Sequence, residues 1–185
     1  MTKPVPAKTK YAAFLRGINV GGNNPVPMAE LKKLFEKIGF SQVKTLLASG
    51  NVVFETAELD AGRLREIITA AIERKFGFKI GIIIRTLAHL EKMIAAEPFQ
   101  GIAITPEVRL YVTFLSDKPA SKMKIPYESP SKEFRILKVT AGEIFSFLWV
   151  DRGGHTIEAM NVIEKEFGKN VTTRNWNTIN KLVAK

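Results

Sequence analysis

The sequence predicts an α+β protein made of two ferredoxin-like domains. Short apolar runs and helical periodicities follow one another over residues 11–84 in the order β-α-β-β-α-β, which is the split βαβ arrangement of ferredoxin-like domains. After Pro98 and Pro106, a second and less regular β-α-β-β-α pattern fills the rest of the chain. We therefore predict a first domain plus a linking helix over residues 11–97, and a second, irregular domain over 106–185.

The first predicted domain has boundaries set by residues that favour the ends of helices. Pro27 suits the first helical position and Gly39 the position after the last turn. Asp60 can cap the second helix, and Gly77 ends it. The predicted elements are a strand at 11–15, a helix at 28–38, strands at 43–47 and 52–55, a helix between 60 and 77, and a strand at 79–84.

The predicted winding brings two loops together. Right-handed crossovers make the first two strands parallel and place the third between them, antiparallel to both. The loop Arg16–Asn24 and the turn Ser49–Asn51 then lie at the same edge of the sheet. We expect them to be in direct contact.

The second half is patterned less clearly. Residues 1–10, rich in proline and lysine, are predicted to be a disordered lead-in. The remaining predicted elements are a linking helix capped by Thr86, strands at 108–115, 134–139 and 144–150, a helical turn at 120–124, a helix at 158–167, and a last helix capped by Thr173 that runs to 183.

The composition limits the possible chemistry. The chain has 185 residues and a net charge of +10, spread over both halves, which favours a soluble basic surface over a polyanion-binding face. With no cysteine and two histidines, disulfides and thiolate metal sites are excluded, and no cofactor or metal is indicated. No apolar run reaches the ~18 residues of a membrane span, so we expect a cytoplasmic protein without a membrane partner.

The loop Arg16–Asn24 contains three glycines, three asparagines and one arginine, more than a plain connection requires. One interpretation is an anion site formed by Arg16 and the exposed backbone of the loop. The other is a tight crossover loop whose asparagines bond their own backbone, with Arg16 pairing a carboxylate. The candidate ligand-binding residues of this loop are Arg16, Gly17, Asn19, Gly21, Gly22 and Asn23.

Two further motifs could add to this site. Ser49-Gly50-Asn51 alone is typical of a hairpin turn, but beside the first loop Ser49 and Asn51 would add a hydroxyl and an amide. Arg174 and Asn175 open the predicted last helix, and Arg174 would share its wetter face with Asn177 and Lys181. They would supply a second anion contact completing a site between the domains, or else cap the helix and bond across the domains.

Aromatic residues near the C-terminus have two interpretations. Trp176 follows helical spacing with Ile179, which indicates a core anchor rather than a base-stacking platform. Phe145, Phe147 and Trp149 alternate along one strand face, which is typical of a core. Open to water, that face would resemble the aromatic sheet of an RNA-recognition domain.

The motifs Arg16–Asn24, Ser49–Asn51 and Thr173–Thr178 make the chain resemble the bacterial domain-of-unknown-function family 1697, over Tyr11 to Leu182. This resemblance implies two α+β domains of ferredoxin-like type. It implies no catalytic residue, because the family has no assigned reaction. The chain departs from the family pattern at Glu97-Pro98-Phe99, at His89 and at Asp151–His155, so neither His89 nor His155 is assigned a shared role.

Three functions remain open. The pattern favours a binding protein for a small phosphate- or carboxylate-bearing ligand at the two converging loops. The alternatives are a nucleic-acid-binding protein that uses its spread basic charge, and an enzyme that relies on arginine and asparagine electrostatics. The fold cannot decide among them, since ferredoxin-like domains host many functions.

Overall fold

The computed structural model describes residues 7–150 and 156–184. Within this part the chain is a mixed α+β structure with two antiparallel sheets and five helices, which confirms the predicted α+β class. The chain divides into two compact units, Met1–Glu91 and Lys92–Lys185. The boundary between Pro98 and Pro106 stays a prediction, and the Asp151–His155 segment lies outside the described residues.

The first unit contains one four-stranded sheet with the order β2-β3-β1-β4. β3 lies between β1 and β2 and is antiparallel to both, as predicted. β4 pairs with the other side of β1, also antiparallel. The elements are β1 (Thr9–Leu15), α1 (Met28–Lys37), β2 (Ser41–Leu46), β3 (Asn51–Thr56), α2 (Ala61–Phe76) and β4 (Ile82–Thr86). The helix that follows, α3 (Leu87–Ala95), crosses the boundary between the two units.

The ends of the helices in the first unit are set by capping hydrogen bonds and by backbone conformation. The carboxylate of Asp60 accepts a hydrogen bond of 2.9 Å from the backbone N–H of Arg63 and so caps α2. Gly77 follows α2 with φ = +83°, a left-handed conformation that costs glycine little. Both predicted ends of α2 are therefore confirmed. Pro27 stands one position earlier than predicted, as the N-cap of α1.

β1 begins at Thr9, which pairs with Thr56, and Lys10 Nζ lies 3.7 Å from Glu55 Oε1. The predicted disorder is therefore wrong for Thr9 and Lys10, because both pair with β3. Residues 1–6 lie outside the described part.

An aromatic cluster forms the centre of the first core. The rings of Phe40 and Phe54 stack with centroids 4.5 Å apart, and Phe35 meets both rings edge-on. Tyr11 also stacks with Phe54, with ring centroids 5.8 Å apart. The cluster joins α1 to the central strands, because Phe35 belongs to the helix, whereas Tyr11 and Phe54 belong to β1 and β3.

The second unit contains a five-stranded antiparallel sheet with the order β6-β7-β8-β5-β9. Without the two-residue edge strand β6, this order repeats that of the first sheet position by position. Its core includes Leu115, Ile136, Ile144 and Leu148, together with Ile163 from α4. The elements are β5 (Val108–Leu115), β6 (Tyr127–Glu128), β7 (Phe134–Val139), β8 (Glu143–Trp149), α4 (Thr156–Phe167), β9 (Val171–Asn175) and α5 (Trp176–Val183).

Two predictions for the second half are wrong. The chain between β5 and β6 contains no helical turn at residues 120–124. Thr173 does not cap the last helix, because it lies in β9, paired with Thr113 of β5. The β-branched run Val171-Thr172-Thr173 favours a strand, whereas the helical spacing begins only at Trp176.

Within the described residues, no helix combines the length and apolar character that crossing a membrane requires. The cytoplasmic location stays a prediction.

Replacing Phe54 by alanine should destabilise the protein by about 3–5 kcal/mol, because the ring is fully buried among three other aromatic rings. Ile67→Ala is the control. Ile67 lies on α2 and is 36% exposed, so its loss should cost under about 1 kcal/mol. Urea denaturation measures both, and similar losses would contradict this assignment of the core.

Candidate functional site

The loop between β1 and α1 folds back on itself at its tip. The N–H of Asn23 donates a 3.0 Å hydrogen bond to the carbonyl of Val20, closing a tight turn. The two central residues, Gly21 and Gly22, have φ values of +57° and +79°. Positive φ at both central positions is the requirement of a type I′ turn, which glycine meets without strain. The tip is exposed to solvent.

Asn19 joins this loop to the second motif. Its Nδ2 donates to the carbonyl of Val26 at 2.9 Å and to the carbonyl of Ala48 at 2.8 Å. Its Oδ1 accepts from the N–H of Val26 at 2.8 Å. Asn19 itself has φ = +55°, a conformation that asparagine tolerates better than most residues. One side chain therefore fixes the start of the loop, its end and the neighbouring turn.

Asn24 braces the loop from within. Its Nδ2 donates to the carbonyl of Gly17 at 3.0 Å, and its own carbonyl accepts from the N–H of Asn19 at 3.2 Å. These are the bonds expected of a crossover loop whose asparagines satisfy their own backbone. Arg16, at the start of the loop, is half-buried, and its backbone N–H donates to the carbonyl of Gly81 at 2.8 Å.

The turn between β2 and β3 packs directly against the first loop. The N–H of Leu15 donates to the carbonyl of Gly50 at 2.9 Å. Gly50 is buried with φ = +77°, and a Cβ added there would stand 2.7 Å from Ile18 Cδ1 and 2.8 Å from Leu15 Cβ. With the Asn19–Ala48 bond, these contacts confirm the predicted convergence of the two loops.

Asn51 and Ser49 have different environments within this turn. Asn51 is fully buried, and its Nδ2 donates to the carbonyl of Leu46 at 2.9 Å and to Ser49 Oγ at 3.0 Å. Ser49 is exposed. The side-chain amide of Asn51, predicted as a ligand contact, therefore holds the turn together, and Ser49 takes part through its hydroxyl oxygen although the residue is exposed.

Arg174 lies in β9, and its predicted place on the wet face of the last helix is wrong. The side chain is buried, and its guanidinium donates to Thr172 Oγ1 and to the carbonyl of Thr173, both at 2.8 Å. Burial lowers the pKa of Arg174 to about 10, so the guanidinium is still charged at neutral pH. Arg174 is thus a charged group held inside the second unit.

Asn175 is the N-cap of α5, because its Oδ1 accepts a 2.9 Å hydrogen bond from the N–H of Asn177. Capping was one of the two roles predicted for the Arg174–Asn175 motif. The next residue, Trp176, packs edge-on against Phe99 and Phe145, with centroids 5.0 and 6.3 Å away. Phe145 and Phe147 are both buried, which agrees with the core interpretation of this strand face.

The histidines give no indication of a metal centre. Within residues 7–150 and 156–184, no three histidine, aspartate or glutamate side chains are grouped to hold a metal ion. His89 is exposed, and its backbone N–H donates a 3.1 Å hydrogen bond to Thr86 Oγ1, which confirms the predicted cap of α3. His155 lies outside the described residues.

A family model described as "Protein of unknown function (DUF1697)" matches residues 8–145. The chain belongs to this family. Both converging loops lie inside the matched region, whereas Arg174 and Asn175 lie beyond it. The predicted family is thus confirmed, over residues 8–145, and membership in DUF1697 assigns no reaction.

Among solved structures, the chain is similar to the conserved bacterial protein SP0830 from Streptococcus pneumoniae. The two are 21% identical with a TM-score of 0.70, over 96% of this chain and 98% of that chain. At this identity the likeness shows a shared fold and nothing about activity. No curated protein matches the sequence.

The close approach at Gly50 can be tested with a pair of glycine variants. Gly50 and Gly39 both have positive φ, but a Cβ on Gly39 would meet no atom within 4 Å. Both alanine variants carry left-handed strain, whereas only Gly50→Ala also forces Leu15 and Ile18 to move. Gly50→Ala should therefore cost about 1–3 kcal/mol more than Gly39→Ala in urea denaturation. Equal losses would show that the two loops can separate freely.

Proposed function

We propose that the protein binds a small anionic ligand, bearing a phosphate or carboxylate group, at the exposed surface of the two converging loops. The ligand-binding residues in this proposal are Arg16, Gly17, Gly21, Gly22, Asn23 and Ser49. Arg16 supplies a positive charge with planar donors, and Ser49, an exposed residue, supplies a hydroxyl. The glycines supply backbone N–H groups, which bind anions where successive amides point the same way.

The observation that carries the proposal is the fixed shape of an exposed glycine tip. The backbone N–H groups of Gly17, Gly21 and Gly22 donate no hydrogen bond to any described residue. The side chains of Asn19 and Asn24 are turned to the loop backbone and hold it in place. A preorganised set of donors loses little conformational entropy when a ligand binds, which favours recognition.

Five residues that the sequence suggested are not part of this site: Asn19, Gly50, Asn51, Arg174 and Asn175. The side chain of Asn19 is bonded to the carbonyls of Val26 and Ala48, and Gly50 is buried. Asn51 and Arg174 are buried, and both already donate hydrogen bonds inside their own units. Asn175 uses its side-chain oxygen to cap α5. Nucleic-acid binding and catalysis by arginine and asparagine electrostatics stay untested predictions.

We also propose that each unit is a ferredoxin-like domain. The first unit supports this with its β-α-β-β-α-β order and its strand order β2-β3-β1-β4. The second unit supports it with the equivalent order β7-β8-β5-β9 and with α4 between its third and fourth common strands. It departs from the pattern where residues 116–133 and β6 replace the first helix.

The ligand site is tested by melting curves with inorganic phosphate, ADP, a sugar phosphate and succinate. At a concentration of 100 times Kd, a ligand that binds only the folded protein stabilises it by about 2.7 kcal/mol. We expect at least one of the four to raise the Tm. Arg16→Gln should reduce that shift, because it removes the charge and keeps a polar side chain of similar reach.

Gly22→Asp is the sharper variant, since it places a carboxylate at the tip. Aspartate tolerates positive φ, and a Cβ on Gly22 meets no atom within 4 Å, so the fold should be retained. Gly101→Asp is the matched control, because Gly101 has φ = +84° and equally open surroundings in the second unit. Abolition of the Tm shift in Gly22→Asp alone supports the site. An equal shift in both variants, or no shift in the wild type, refutes it.

A further inference from the structure

A basic groove runs between α1 and α2 of the first unit, and its lining residues are different from those of the two converging loops. Its volume is about 470 Å³. Lys33 and Lys37 line it from α1, and Arg74 and Lys75 line it from α2. Glu30 is the acidic residue among its lining side chains. Four cations therefore face one carboxylate.

The groove already holds one carboxylate between the two helices. Lys33 Nζ lies 3.7 Å from Glu30 Oε1, and Lys75 Nζ lies 3.0 Å from Glu30 Oε2. The hydrogen bond and the charge of Lys75, followed by the charge of Lys33, hold the pKa of Glu30 below its usual range. The spacing of basic groups on facing helices therefore suits a carboxylate bound across the groove.

Lys37 and Arg74 are the two cations of the groove that do not pair with Glu30. Both side chains are exposed, and neither forms an ion pair with a residue in the described part of the chain. The floor beneath these cations is apolar, with Leu34 and Ala71 buried in the first core and Ile38 beside them. Ile38 remains partly exposed there. The groove thus combines a small apolar base, open to solvent mainly at Ile38, with two exposed positive charges that pair with no carboxylate in the described part of the chain.

We propose that this groove is a docking site for an acidic amphipathic helix of a partner protein. Its aliphatic side chains would pack on the floor, and carboxylates on its flanks would pair with Lys37 and Arg74. Charge complementarity selects the occupant. A nucleic-acid backbone could use the cations, but it has no aliphatic group for the floor. This function is separate from ligand binding at the converging loops and does not depend on it.

The test uses the full chain and a fluorescent peptide of about 20 residues, or about 30 Å of helix, with leucines along one face and glutamates beside them. Fluorescence anisotropy measures its affinity at low salt. Lys37→Gln/Arg74→Gln should weaken binding about tenfold, because two interfacial charge pairs are lost. Lys122→Gln/Lys124→Gln is the matched control. It removes the same charge from two exposed lysines of the second unit, and its affinity should stay that of the wild type.

A second peptide, with serine in place of every leucine, separates docking from polyanion binding. Docking on the apolar floor predicts that this peptide loses most of its affinity. If it binds as tightly as the leucine peptide, the groove attracts charge alone and the proposal is wrong. The proposal also fails if the leucine peptide does not bind, or if the two double variants weaken its binding equally. It fails as well if a DNA duplex binds the wild type more tightly and displaces the peptide.

Discussion

The first unit depends on the close approach of two loops at the edge of its sheet. Asn19 and Ala48, 29 residues apart in sequence, are joined by a side-chain hydrogen bond, and Leu15 reaches the carbonyl of Gly50. The approach is possible because Gly50 has no Cβ to meet Ile18. β1 pairs with β3 on one side and β4 on the other, so a displacement of its end would disturb both pairings. The position of the exposed loop tip is thus set by the centre of the sheet.

The two units have the same strand order but different connections between their strands. The candidate ligand-binding loop is one of the connections that differ. In the first unit, β1 leads through the glycine- and asparagine-rich loop into α1. In the second, β5 leads into residues 116–133, which form only the short strand β6. The second unit therefore has no counterpart of α1, and its sequence has no counterpart of the Arg16–Asn24 loop. A shared strand order is a property of packing, whereas the loops distinguish what each unit can bind.

The sequence predicted the features that depend on local chemistry. The Asp60 cap and the Gly77 end of α2 follow from backbone hydrogen bonding within a few residues, and topology rules then placed β3 between β1 and β2. The sequence did not predict the features that depend on contacts between residues far apart in the chain. Asn51 and Asn23 are the same residue type in similar loops, but Asn51 is buried because the sheet register sets it opposite Phe14. Helical spacing with Asn177 and Lys181 predicts a wet surface for Arg174, and only the pairing of β9 with β5 shows that it lies in a strand.

The basic groove is a charged patch that the distribution of charge along the sequence does not reveal. The net charge of +10 is spread over both halves of the sequence, which disfavours a charged patch. Helical spacing nevertheless puts Lys33 and Lys37 on one face of α1, and the packing of α2 brings Arg74 and Lys75 alongside. Like charges on adjacent helices repel, and Glu30 offsets part of that repulsion by pairing with a lysine from each helix. A carboxylate of a bound partner would stabilise Lys37 and Arg74 in the same way, because it would offset the repulsion that Glu30 leaves between these cations.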